Sequence, residues 1–205
     1  MKIGIIGGTG AMGSGLAAHL SKENEVRIGS RDLAKARATA AKIPGVEGGK
    51  DTDVADWCEV AIVAVPFSAI GELGALAGPL SGKAVISMVN PLKREGGLLE
   101  YAEKQGSAAE AVAASLKGSR VATGFNNVPA AFFRKPFDDV VDILVATDSR
   151  STFDEVAPLI RSVARMRPLY VGPLSQAISV ERLTVMVLNA AKLNGGSRFS
   201  VKFVS

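Results

Sequence analysis

The rhythm of apolar and polar positions changes repeatedly along the chain. Residues 2–7 form a short apolar run that reads as a buried strand. Residues 11–21 shift to helical spacing, with Met12, Leu16 and Leu20 on one face. Residues 25–29 read as a second strand, and Asp32 is placed to cap a helix over residues 33–42. Residues 60–65 are continuously apolar and end at Pro66, a pattern that belongs to a strand buried on both faces of a parallel sheet. Residues 67–77 look helical, and residues 84–89 form another strand, stopped by Asn90-Pro91. Residues 98–117 are expected to hold one or two helices around a break at Gly106. Residues 120–124 and 140–146 read as strands, residues 153–165 as a helix, residues 169–171 as a short strand and residues 176–193 as an apolar-rich helix.

Strand and helix alternate throughout. That order predicts a Rossmann-type α/β fold, a doubly wound parallel sheet with right-handed crossovers and a small C-terminal α/β lobe. The seam is expected between residues 125 and 136. Residues 1–124 would form the dinucleotide-binding domain and residues 125–205 the lobe, the two together able to make one continuous unit. No internal repeat, low-complexity segment or Gly/Ser linker interrupts the pattern.

Composition narrows the classes. The chain has 205 residues with 47% apolar, which suits a folded globular protein. No apolar run approaches the roughly 20 residues of a membrane span. A single cysteine, Cys58, allows no internal disulfide and fits a reducing, cytoplasmic setting. The formal charge is +4, yet aromatics are only 5% and are not interleaved with the basic residues, so a phosphate-bearing small molecule suits the charge better than a nucleic acid.

The stretch IGGTGAMGSG follows the first strand and opens the first helix. Gly8, Gly10 and Gly13 satisfy G-x-G-x-x-G, and Gly7, Gly10 and Gly13 also satisfy the G-x-x-G-x-x-G spacing of short-chain dehydrogenases. In the first pattern one glycine allows the tight turn, the second lets a pyrophosphate approach the backbone and the third lets helix and strand pack closely. Thr9, Ala11 and Met12 lie between them, where the helix N-terminus offers free N–H groups to an anion. The end of the second strand bears on the choice of dinucleotide. An NAD site wants a carboxylate there, whereas this chain has Gly29-Ser30-Arg31, with Lys35 one turn on. A hydroxyl and a guanidinium form a phosphate site, which points to NADP(H). Ala64-Val65-Pro66 and Asn90-Pro91 end two further strands and would face the same ligand crevice.

Proton chemistry is sparse. The lone histidine, His19, sits on the flank of the first helix's apolar face and reads as structural. No metal-ligand cluster is visible in the pattern. Neither Tyr101 nor Tyr170 has a lysine four residues on, so the Tyr-x-x-x-Lys pair is absent. Carbonyl reduction calls for a proton donor near the new alkoxide. Hydride transfer between a nicotinamide and a flavin-like ring needs stacking and distance instead.

The segments GGTGAMGSGLAAHL and VRIGSRDLAKA resemble the NADPH-dependent reductases of the deazaflavin coenzyme F420. The resemblance continues through AIVAVPFSAI, SAAEAVAASLKGSRVATGFNNVPAAFF and RPLYVGPLSQAISVERLTVMVLNAAKLNG, covering nearly the whole chain. It implies a nicotinamide and a deazaflavin stacked in a cleft between domain and lobe. Thr9, Gly10, Ala11 and Met12 would hold the pyrophosphate, with Ser30, Arg31 and Lys35 on the 2′-phosphate. Ala64, Val65 and Pro66 would touch the nicotinamide side, and Asn126, Asn127, Val128, Pro129 and Ala130 would lie by the two rings. Two departures bear on the acceptor: family members carry a histidine where Asn126 stands, and often a bulkier pair than Phe67-Ser68. Related oxidoreductase domains of membrane metalloreductases use ordinary flavins, so FMN, FAD and riboflavin stand beside F420. An F420 tail, anionic in its phosphate and glutamates, would meet Lys93, Arg94, Arg134 or Lys135. The last helix, with Leu183, Val187 and Ala190/Ala191 at helical spacing, would pair with a copy of itself in a homodimer or bury against its own sheet. Two rivals remain: an imino or β-hydroxyacid dehydrogenase, which needs a larger helical second domain, and a non-catalytic NADPH sensor.

Overall fold

A computed structural model describes residues 1–103, 105–135, 138–196 and 199–204. Its main sheet is built from β1 (Lys2–Ile6), β2 (Glu25–Ser30), β3 (Val46–Lys50), β4 (Val60–Val63), β5 (Ala84–Ser87) and, past a hairpin of β6 (Leu92–Glu95) and β7 (Leu98–Tyr101), β8 (Arg120–Thr123). The strand order is β3-β2-β1-β4-β5-β8 and every pairing is parallel. The chain starts in the middle, winds out to β3, returns across β1 and winds out the other way. The order reverses between β1 and β4, where a doubly wound sheet binds its ligand.

Alternation along the strands divides the core between the two faces. Ile3, Ile5, Val60, Ile62 and Ile86 point to the face covered by α1 (Ala11–Leu20) and α7 (Arg150–Ser162). Ile6, Ala61, Val63 and Val85 point to the other, covered by α3 (Asp51–Trp57), 3-10 turns over Phe67–Leu76 that lead into α4 (Ala77–Leu80), and α5 (Ala108–Ser115). The helix α2 (Leu33–Ala40) completes the β2–β3 crossover, and Asp32 caps it by accepting the Lys35 N–H at 3.1 Å.

After β8 the chain makes a turn at Phe125, whose φ of 62° is a left-handed conformation that a bulky residue rarely holds. The short α6 (Ala131–Arg134) follows, then β9 (Val141–Ala146), α7, β10 (Met166–Gly172) and α8 (Ala177–Leu193). β9 and β10 pair in parallel as a separate two-stranded sheet. That sheet is stitched to the edge of the main one: Thr123 Oγ1 donates to Leu144 O at 3.0 Å and accepts the Ala146 N–H at 2.8 Å. Apolar clusters run on across residue 124, joining Ile143 and Val145 to Ile5 and Ile62. A buried carboxylate ties the last helix in. Glu181 of α8 accepts the Ala108 and Ala109 N–H groups at the start of α5 and the Tyr101 hydroxyl at 2.7 Å.

Three expectations are corrected. Residues 98–117 are not helical throughout: Leu98–Tyr101 pairs antiparallel with Leu92–Glu95, and the helix is confined to Ala108–Ser115. Gly96 and Gly97, at φ 55° and 84°, supply the positive-φ pair that a two-residue hairpin turn demands. Val46–Lys50 and Asp51–Trp57 form a strand and a helix that the apolar rhythm does not show. The strand VEGGK lies at the sheet edge with no buried residue, so alternation leaves no trace in it. Phe67–Leu76 is wound as 3-10 turns rather than α-helix.

Candidate functional site

The glycine turn is shaped by backbone packing. Gly7 has φ 68° and Gly8 donates its N–H to both Ile5 O at 3.2 Å and Gly29 O at 3.1 Å. A Cβ on Gly13 would stand 2.6 Å from the Gly8 Cα, so the helix can approach the turn only without one. Gly10 is different. A Cβ there meets nothing within 4 Å, and Gly10 and Ala11 are exposed. No side chain caps α1 at Gly10, and its first turn carries no acidic residue. The N–H groups of Ala11 and Met12 therefore point out of the protein at the positive end of the helix.

Beside this turn lies a cavity of about 590 Å³, over the carboxyl ends of β1, β2 and β4. Its polar wall carries Thr9, Ser30, Arg31, Lys35, Lys50 and Asp51. Its apolar wall is Val65, Pro66, Ala69, Leu73 and Leu76. Ser30, Arg31 and Lys35, far from the glycines in sequence, thus share one concavity with the turn. Arg31 is mostly exposed and pairs with Glu72 across the cavity. Ala64 continues β4 by donating its N–H to Ile6 O at 2.9 Å and is half-buried beside the core.

The remaining predicted residues gather elsewhere, and none of them lines that cavity. Asn90 Nδ2 donates to Asn126 O at 3.0 Å. Asn126 is buried; its Oδ1 accepts the Gly124 N–H at 3.0 Å and its Nδ2 donates to Val89 O at 3.0 Å. Asn127 Nδ2 donates to Asp142 O at 2.6 Å. Pro91 and Val128 are buried, while Pro129 and Ala130 are partly open. Thr184 of α8 donates to Asn126 O at 3.1 Å and pins this knot from the far side. These side chains hold one another and the backbone together.

Other predicted residues have plain placements. His19 Nε2 lies 3.2 Å from Phe133 O, with its ring packed on Phe132 and Phe133. Lys93 pairs with Glu95 and Glu100 across the hairpin. Val187 and Ala191 of α8 are buried in the chain itself, whereas Met186 and Leu193 are exposed. Sequence reasoning missed Lys50, Asp51 and Glu72. All three enter the cavity from elements that were unread or read only in outline.

The parallel sheet, its reversal between β1 and β4 and the glycine turn at that point define a Rossmann-type α/β protein. The comparisons then narrow the class. Residues 2–91 match the family described as NADP oxidoreductase, coenzyme F420-dependent. An F420-dependent NADP reductase of Methanothermobacter marburgensis is 35% identical over 207 residues, covering 92% of each chain. A crystal structure from Arthrobacter sp. FB24, provisionally designated an F420-dependent NADP-reductase, superposes with a TM-score of 0.89 at 24% identity over 100% of both chains. An imine reductase of Streptomyces aurantiacus shares the fold at a TM-score of 0.65 and 20% identity, over 95% of this chain but only 64% of that one. The chain belongs to the coenzyme F420-dependent NADP oxidoreductase family.

Proposed function

We propose that the protein transfers a hydride between NADP(H) and the deazaflavin coenzyme F420. The observation that carries this reading is the open, uncapped α1 N-terminus at Gly10, joined to a cavity whose polar wall holds Ser30, Arg31 and Lys35. The helix end suits a pyrophosphate and the hydroxyl–guanidinium–ammonium set suits a 2′-phosphate. Val65 and Pro66 line the same cavity and would touch the nicotinamide side.

The chain's own part is binding and positioning. Gly8, Gly10 and Gly13 shape the turn, Thr9 borders the cavity, and the backbone of Ala11 and Met12 holds the anion. Asn90, Pro91, Asn126 and Asn127 fix the wall of the crevice, leaving Pro129 and Ala130 as surfaces for the second ring. The residues from Phe125 onward act as the lobe that completes this cleft. Bound there, the nicotinamide would supply a hydride to the deazaflavin carbon, with the balancing proton for the ring nitrogen drawn from solvent. No side-chain acid or base is assigned. Two finer features go with this reading: a cytoplasmic setting, suited to the single buried Cys58, and a dimer through α8, whose outer face exposes Met186.

Stopped-flow absorbance with NADPH, offering F420 and FMN in parallel, tests it. Rapid bleaching of F420 with slow or no turnover of FMN is the expected result. Turnover of FMN alone would reassign the acceptor. Tight NADPH binding without any oxidation would make the protein a sensor.

A further inference from the structure

A carboxylate stands in the cavity where the NADP reading has no use for one. Asp51 is the first residue of α3, directly after β3. Its Oδ1 accepts the Gly7 N–H at 2.9 Å, so it holds the residue that begins the glycine turn. The same oxygen lies so close to Gly29 that a Cβ at position 29 would overlap it. Gly29 and Ser30 close β2. The carboxylate therefore fills the space a side chain at the end of β2 would take. In NAD-binding members of this architecture an acid borne by β2 works in this region and accepts the ribose hydroxyls. Here β2 ends in Gly29-Ser30-Arg31, and an acid arrives from the neighbouring strand.

We propose that Asp51 accepts the adenosine ribose hydroxyls and thereby sets how strongly the site prefers NADP(H) over NAD(H). The inference rests on the reading of the cavity as a dinucleotide site. Asp51 shares the cavity with Arg31 after β2, Lys35 on α2, Lys50 beside it in the chain and Glu72 on the 3-10 turns. Burial raises its pKa, while the Gly7 N–H and Arg31 pull it down. A carboxylate here attracts a free diol, which can donate to it, and repels a 2′-phosphate, which cannot. Three cations offset that repulsion for NADP(H). The carboxylate thus restrains a site that would otherwise favour the phosphorylated dinucleotide more strongly.

The test is the dissociation constant of NADPH and of NADH, titrated to millimolar, for wild type and Asp51→Asn. The amide keeps an acceptor for Gly7 and removes the charge. NADPH is expected to bind about threefold to tenfold more tightly, because the repulsion is gone. NADH is expected to bind about tenfold more weakly, because a charge-assisted bond has become a neutral one. Opposite signs from one substitution separate this role from a structural one, which would move both ligands together. Asp51→Ser, which also removes the charge, must give the same signs and stands in if the amide variant fails to fold. If both constants shift the same way, if neither shifts, or if wild type binds no NADH at millimolar concentration, the inference falls while the NADP reading stands. If wild type binds no NADPH, both fall.

Discussion

At the β1–β2 end of the crevice Arg31 and Lys35 stand exposed; at the β5–β8 end the Asn90, Asn126 and Asn127 amide groups donate to the protein's own backbone. Among the described residues, Asn90 Oδ1 and Asn127 Oδ1 are buried without a partner. Arg31 and Lys35 are exposed beside an open cavity, and Arg31's one ion pair, with Glu72, is solvent-accessible. Such a pair contributes at most about 1 kcal/mol. Asn126 is buried, and both ends of its amide are bound to main chain. The first region can lose a side chain and keep its shape. The second is less free to, because the Asn126 amide bridges the Gly124 N–H and the Val89 carbonyl on either side of the left-handed Phe125 turn. On the proposed reading this difference divides recognition: charge at the cavity would select the dinucleotide, and the wall at the other end would set ring distance.

The largest expected effect follows from the buried end. Asn126→Ala leaves the Val89 carbonyl without its partner inside the protein, while the Gly124 N–H keeps its bond to Ser87 O at 3.2 Å. The orphaned carbonyl costs about 1–3 kcal/mol of unfolding free energy. Urea unfolding measures this loss directly. NADPH affinity is expected to stay within about threefold, because the knot touches no residue of the cavity. If stability holds while NADPH binding collapses, the division between the two ends is wrong.

Arg31→Ala should give the mirror image. On the proposed reading the guanidinium would hold the 2′-phosphate, and its removal is expected to weaken NADPH binding about tenfold to a hundredfold. NADH binding should change far less, since it brings no 2′-phosphate. Unfolding free energy should move by less than about 0.5 kcal/mol, as for other exposed positions. Titration of both dinucleotides, with an unfolding curve alongside, checks all three statements. Equal losses for NADPH and NADH would place Arg31 on the adenine or pyrophosphate and remove it from the choice of dinucleotide.

The two ends also differ in how far the sequence shows them. The glycine turn, the Asp32 cap and the apolar strands β1, β4 and β5 announce themselves, since burial on both faces leaves an unbroken apolar run. Gly29-Ser30-Arg31 is equally plain, because it follows a readable strand. Asp51 is not. The strand before it is an edge strand of Val, Glu and Gly with no buried side, so nothing in its rhythm marks Asp51 as lying at a strand end. The hairpin is hidden for another reason: residues 98–103 carry apolar spacing that suits either state, and only the Gly96-Gly97 pair decides it. Asn126 and Asn127 stand out as neighbours, but their composition cannot tell a ring-facing amide from one tied to Val89 and Asp142. That distinction is made by chain segments 15 or more residues away.

The smallest effect concerns Gly10 and sharpens what the open end does. Gly10 has φ −80°, which any residue adopts, and a Cβ there meets nothing within 4 Å. Gly10 is the N-cap of α1, where glycine is preferred to alanine, so Gly10→Ala should cost about 1 kcal/mol of unfolding free energy without any steric clash. At Gly13 the added carbon would meet the Gly8 backbone at 2.6 Å, and the fold itself must yield. The N-cap position is one reason for glycine at position 10, and the open space beside it leaves room for a ligand as a second. A pyrophosphate lying against that backbone would meet the new methyl group, and NADPH affinity should fall about fivefold to tenfold. Dinucleotide titration of Gly10→Ala isolates that contact where an unfolding curve shows the variant folded, because no charge is altered. Undiminished affinity would move the pyrophosphate away from the α1 N-terminus and take with it the main support for the dinucleotide reading.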